Sequence, residues 1–118
     1  MIDARVQVYE GLSAVFGNVK HIRPETNITL PLVVYQEVTH TATEKWREEV
    51  DFQVDIYAAD FEDLIDLVQE ADAVMSGIGF TLTYTSPDTD ARVDRDLYKK
   101  ALNYHGRIDT YHERFMKE

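Results

Sequence analysis

Between Val50 and Tyr57 the chain alternates strictly, with Val50, Phe52, Val54 and Ile56 set against Asp51, Gln53, Asp55 and Tyr57. A period of two belongs to a strand with one face in a core and one in water. We place this strand from about Glu48 to Ala58. A half-buried strand requires antiparallel neighbours and a layer of other elements over its apolar face, so the rest of the chain is read for both.

Two helices supply the cover. Ile2, Val6, Tyr9, Leu12 and Phe16 recur at spacings of three and four, which predicts a helix from Ile2 to Phe16 with those residues as its buried stripe, closed by Gly17 and Asn18. Asp60 is an N-cap candidate ahead of Phe61, Leu64, Ile65, Val68, Ala71 and Met75, predicting a second helix from Phe61 to Ser76. Glu62, Asp63, Asp66, Glu70 and Asp72 form its acidic outer face, and Gly77 and Gly79 mark its end.

Three more strands follow from β-branched and aromatic runs. The first spans Leu32 to Thr39, after a crossing loop from Val19 to Pro31. A second spans Phe80 to Thr85, and a last one carries Leu102, Tyr104, Gly106 and Ile108 on one face, with Gly106 placed to allow a bulge. His40 to Lys45 reads as a long, mobile hairpin tip, Ser86 to Asp96 as a loop, and 110–118 as a tail that frays. The expected fold is therefore α+β, an antiparallel sheet of about four strands with two helices on one face, in the order α-β-β-α-β-β. At 118 residues this is a single domain over 1–118. Its second sheet face is left for a partner copy.

Charge and composition narrow the function. The 22 acidic residues outnumber 12 basic ones, giving a net charge of −10 that repels nucleic-acid phosphates. With no cysteine there are no disulfides or thiolate metal sites. No apolar run is long enough to span a bilayer and no signal sequence opens the chain, so neither membrane nor secretion is expected. His21, His40, His105 and His112 lack metal-ligand spacing, and the acidic loop residues Asp88, Asp90, Asp94 and Asp96 lack the glycine and terminal glutamate of a calcium loop. Ser13, Ser76 and Ser86 sit in no nucleophile elbow, and Gly77-Ile78-Gly79 is no phosphate loop. No catalytic, metal or cofactor residue is assigned, and the expectation is a protein that is not an enzyme.

The residues that stand out are surface ones. Trp46, the single tryptophan, lies between Lys45 and Arg47 at the hairpin return and is either an interface anchor or a cap on the core. With the wet-face residues Asp51, Gln53, Asp55 and Tyr57 these make a candidate assembly interface. Asp88, Asp90, Arg92, Asp94 and Arg95 make a candidate docking loop.

An N-terminal helix, then Leu30-Pro31-Leu32-Val33-Val34-Tyr35, then Val50 to Tyr57, the Asp60-led helix and a closing Tyr98 to Ile108 strand together resemble the tail completion, or tail-to-head joining, proteins of long-tailed phages, a family related in fold to tail terminators. The likeness covers nearly the whole chain. It implies a ring, hexameric in that family, that caps the tail tube protein and offers a surface to the head connector protein, assembled in the host cytoplasm and ending at the head–tail junction of the virion. DNA would meet such a ring only as passing cargo. The competing reading is an acidic module that imitates DNA to inhibit a host enzyme; the interleaved Lys45, Arg47, Arg92, Arg95, Lys99 and Lys100 weigh against it.

Overall fold

A computed structural model describes residues 3–21 and 29–116. Its elements are α1 (Ala4–Val15), β1 (Val19–His21), β2 (Leu32–Glu44), β3 (Arg47–Ala58), α2 (Phe61–Ile78), β4 (Thr81–Thr85), a 3-10 turn at Asp88–Asp90, β5 (Arg92–Asp94), β6 (Leu97–Asp109) and β7 (Arg114–Met116). The described residues thus form two α-helices and one seven-stranded mixed sheet.

This corrects the expected architecture. The sheet has seven strands, not four, in the order β1-β2-β3-β6-β4, and it is not wholly antiparallel, because β1 pairs with β2 in parallel through Val19↔Val33 and His21↔Tyr35. β5 and β7 also pair with β6, at Arg92↔Tyr98 and Ile108↔Phe115. One edge of β6 is therefore lined in turn by three short strands, β5, β4 and β7. The expected frayed tail is β7 as far as Met116, and 117–118 lie outside the described residues.

Strand β3 shows how the core is made. Its burial alternates from Val50 to Ala58, as its sequence dictates, and Val50, Phe52, Val54 and Ile56 are wholly inaccessible. Full burial of each such side chain contributes roughly 1.5–3 kcal/mol. Phe52 stands opposite Tyr104 of β6, α2 packs over both strands, and the Phe80 ring meets Phe52 edge-on at 5.4 Å. The core face continues through Leu102, Tyr104 and Ile108. Gly106 forms no bulge; it pairs with Val50 in register, and a Cβ there would lie 2.8 Å from the Phe80 ring. The glycine is there for the close approach of an aromatic ring.

The helices share the sheet face between them. α2 begins where Asp60 Oδ1 accepts from the Asp63 N–H at 2.8 Å and ends at Gly79, whose φ of 129° favours glycine. It buries Leu64, Ala71 and Met75 over β3, β6 and β4. Asp72, expected on the solvated face, instead accepts a hydrogen bond from the Tyr104 hydroxyl at 2.9 Å. α1 lies against α2, β1 and β2, and it is rotated from the expected stripe: Ala4, Val8 and Leu12 are buried, while Val6 and Tyr9 are each 48% exposed. Gly11 explains the rotation. A Cβ there would lie 3.0 Å from Val74 and 3.1 Å from Ile78, so α1 turns its smallest residue toward α2. Ile2 lies outside the described residues, as do Pro24 and Asn27 of the expected crossing loop, whose beginning is β1.

Candidate functional site

The candidate site is the sheet face away from the helices, together with the end of the β2–β3 hairpin. The pairing register decides what meets there. Thr39, Asp51, His105 and Thr81 form one row across β2, β3, β6 and β4, and Thr41, Glu49 and Arg107 form the next. Outward side chains in rows are close enough to pair across strands.

In the first row Thr39 Oγ1 donates to Asp51 Oδ2 at 2.5 Å, and Asp51 Oδ1 lies 2.7 Å from His105 Nδ1. His105 Nε2 then lies 3.2 Å from Glu49 Oε1, and Glu49 meets Arg107 Nε at 3.4 Å. The chain of contacts crosses three strands. The Asp51 carboxylate, followed by Glu49, raises the His105 pKa above the ordinary 6.5, despite some desolvation. Burial pushes the Asp51 carboxyl up, yet the hydrogen bonds from Thr39 and His105 outweigh it and hold the group below its ordinary 3.8. Both ring nitrogens of His105 are engaged by carboxylates, so the protonated imidazolium with two donors is the form that suits the site. Such a histidine is a clamp and not a free base, and Thr39 donates to Asp51, not to the ring.

The other predicted interface residues lie on the same face but in separate contacts. Gln53 Nε2 donates to Asp55 Oδ1 at 2.9 Å, and Lys99 stands 3.9 Å from Asp55 and 5.7 Å from the centre of the Tyr57 ring. These side chains are half-buried by one another, drier than the wet face expected of them.

The hairpin end departs from expectation most. The strands continue to Glu44 and Arg47, leaving Lys45 and Trp46 as a two-residue turn instead of a long mobile tip. On the helix side of this extension His40 and Ala42 are exposed, so the hairpin outruns the helical layer as an arm. His40 is pinned between Glu48 at 2.9 Å and Glu37 at 3.3 Å, with Glu48 the larger influence raising its pKa. Trp46 has φ 70°, a left-handed conformation costly for a bulky side chain, and is 52% exposed. Its carbonyl accepts from the Thr110 N–H at 2.9 Å, its ring meets Tyr111 edge-on at 5.3 Å, and Lys45 Nζ lies 5.2 Å from its centre. Trp46 therefore caps no core. Arg47, beside it, pairs with Asp109 in the β3–β6 register.

The docking-loop residues are at the far end of β6, about 35 Å from Trp46 at the usual rise per strand residue. Asp88 and Asp90 form the 3-10 turn, Arg92 and Asp94 belong to β5, and Arg95 N donates to Asp94 Oδ1 at 2.7 Å in the turn before β6. Lys100, buried on the core side, reaches the Ser86 carbonyl and the Asp88 carboxylate and so ties this loop to the sheet.

Reasoning from sequence missed Thr39, Glu49, His105, Arg107 and Tyr111. Outward parity on β3 and β6 was readable for His105, but its partner Asp51 is 54 residues away, and only the register joins them. Among the described residues no group of three or more His, Cys, Asp or Glu side chains is arranged to hold a metal ion, and no helix is long and apolar enough to cross a membrane. No protein-family model matches the chain, and no curated protein matches it.

Proposed function

We propose that the protein is a structural subunit of a long-tailed phage that closes the tail tube as a ring of identical copies and joins it to the head connector. The hairpin arm carries this reading: a two-strand extension beyond the helical layer, braced by ion pairs and tipped by an exposed tryptophan in a strained conformation. An exposed aromatic held at a backbone cost is a feature that points to contact with another molecule. Trp46 and Tyr111 present rigid, amphipathic area at little entropic cost, and Lys45 and Arg47 flank them. The order of strands and helices along the sequence resembles the tail completion family and supports the same reading. The docking loop, at the opposite end of β6, gives the subunit a second surface, as a joint between tube and connector requires. A chain of net charge −10 lining a channel does not grip DNA passing through it. On this reading the subunits assemble in the host cytoplasm and end in the virion.

The test uses Trp46→Gly. Glycine accepts φ 70° freely, and relief of that conformation, about 1–2 kcal/mol, offsets the entropy glycine adds to the unfolded chain and the lost Tyr111 contact. Folding is therefore retained, while joining to purified tail tubes encoded beside the gene is lost. Electron microscopy of tube ends reads the outcome. A variant that caps tubes as well as the parent removes the arm from the assembly, and a parent protein that never binds tubes or connectors defeats the proposal.

A further inference from the structure

The two ends of the sheet carry apolar strips that nothing in the described chain covers. At the β1 end, Val6 and Tyr9 of α1 stand half exposed over a shallow groove of about 420 Å³ lined also by His21 and Tyr35, whose rings are 5.1 Å apart. At the β4 end every residue from Thr81 to Thr85 is exposed, including Leu82 and Tyr84. We infer that these strips are the two halves of one head-to-tail contact, in which the β4 edge of one copy packs against the α1–β1 groove of the next.

Three features commit the groove to a second copy. The first is layer. Leu82 pairs with Tyr104 and Arg92 with Tyr98, both on the helix-facing side of β6, so both emerge in the layer that α1 occupies. A bulge between Leu82 and Tyr84 sends Tyr84 to the other side, opposite Asn103, where Lys20 of β1 also points by its pairing with Val34. Sheets laid edge to edge thus bring Leu82 to Val6 and Tyr9, and Tyr84 to Lys20.

The second feature is charge. Copies of a chain with net charge −10 repel one another except along neutral strips. The β4 segment carries no charge at neutral pH. In the groove Asp3 and Arg5 neutralise each other at 3.2 Å, which leaves Glu10 at the rim to face Arg92, an exposed residue that forms no ion pair among the described residues.

The third feature is symmetry. Two unlike surfaces at opposite ends of one molecule make a heterologous contact, which builds rings when the rotation closes; a self-complementary patch would build a dimer. The inference therefore rests on the ring proposed above and specifies its joint.

The chain has no cysteine, so introduced ones report cleanly. Val6→Cys and Leu82→Cys proteins, mixed and treated with a short bismaleimide, should give cross-linked dimers, whereas each alone should give none. Val6→Cys mixed with Tyr111→Cys, at the arm tip, should also give none. Cross-linking of Val6→Cys to itself overturns the inference in favour of a two-fold contact. If the parent forms rings by electron microscopy but the Val6–Leu82 mixture does not cross-link, the joint is wrong and the ring stands. A parent that is monomeric at all concentrations and absent from tube ends overturns both.

Discussion

The strands β2, β3 and β6 build two unlike halves. Under the helices they carry Phe52, Val54, Ile56, Leu102 and Tyr104, all fully buried, and burial of apolar area fixes their positions. Toward the arm the same strands carry His40, Glu48, Glu49, Asp51, His105 and Arg107, linked to one another by ion pairs and closed by a two-residue turn. Exposed and half-exposed pairs contribute little to stability. Strand continuity thus lends the arm a rigidity that its own contacts do not generate, and frees its side chains for another task.

Substitutions that divide the two halves test this account. The largest effect belongs to Phe52→Ala, which should lose about 3–5 kcal/mol in urea unfolding because it opens a cavity beneath α2 and Phe80. An effect below about 1 kcal/mol would mean that the core half is not the anchor. Gly106→Ala, which drives a methyl group into the Phe80 ring, should cost about 1–3 kcal/mol.

The arm half should answer to pH instead. His105 binds its proton more tightly folded than unfolded, so its contribution is complete below about pH 6.5 and is lost as pH rises through its raised value. The Asp51 contribution has the opposite sense: it is present above pH 3.8 and is lost as pH falls through the lowered value. The melting temperature of the parent should therefore exceed that of His105→Gln most between these limits, with the gap narrowing above pH 6.5. A constant gap across pH 6 to 9 would mean that the clamp is not ionic. Trp46→Gly should change stability least of all while changing assembly most, and a loss of more than 1 kcal/mol would erase the distinction between the halves.

The core half was legible in the sequence because its signal is local. Strict alternation in β3, and the capped, periodic α2, need no knowledge of the rest of the chain. The α1 stripe misled because two apolar sets compete on that helix, and the choice between Val6 with Tyr9 and Ala4 with Val8 depends on Gly11 meeting Val74 and Ile78. In sequence the end of the arm reads as a mobile hairpin tip because it is polar. Yet Thr39, Thr41 and Thr43 alternate with His40 and Ala42, and β-branched residues at period two were the available sign of strand. The short strands β1, β5 and β7 exist only through pairing with β2 and β6, which no window of three residues can disclose. The His105 clamp was hidden for the same reason, since register joins residues that sequence separates.

The tiling of one β6 edge by β5, β4 and β7 has a bearing on how the chain avoids misassembly. An uninterrupted edge of thirteen residues would template cross-β stacking by any unfolded copy nearby. Cut into three short pieces, it offers an incoming strand no more than the five residues of β4 at once. That is room for one neighbour to dock by side chains, and too little backbone to seed a fibre.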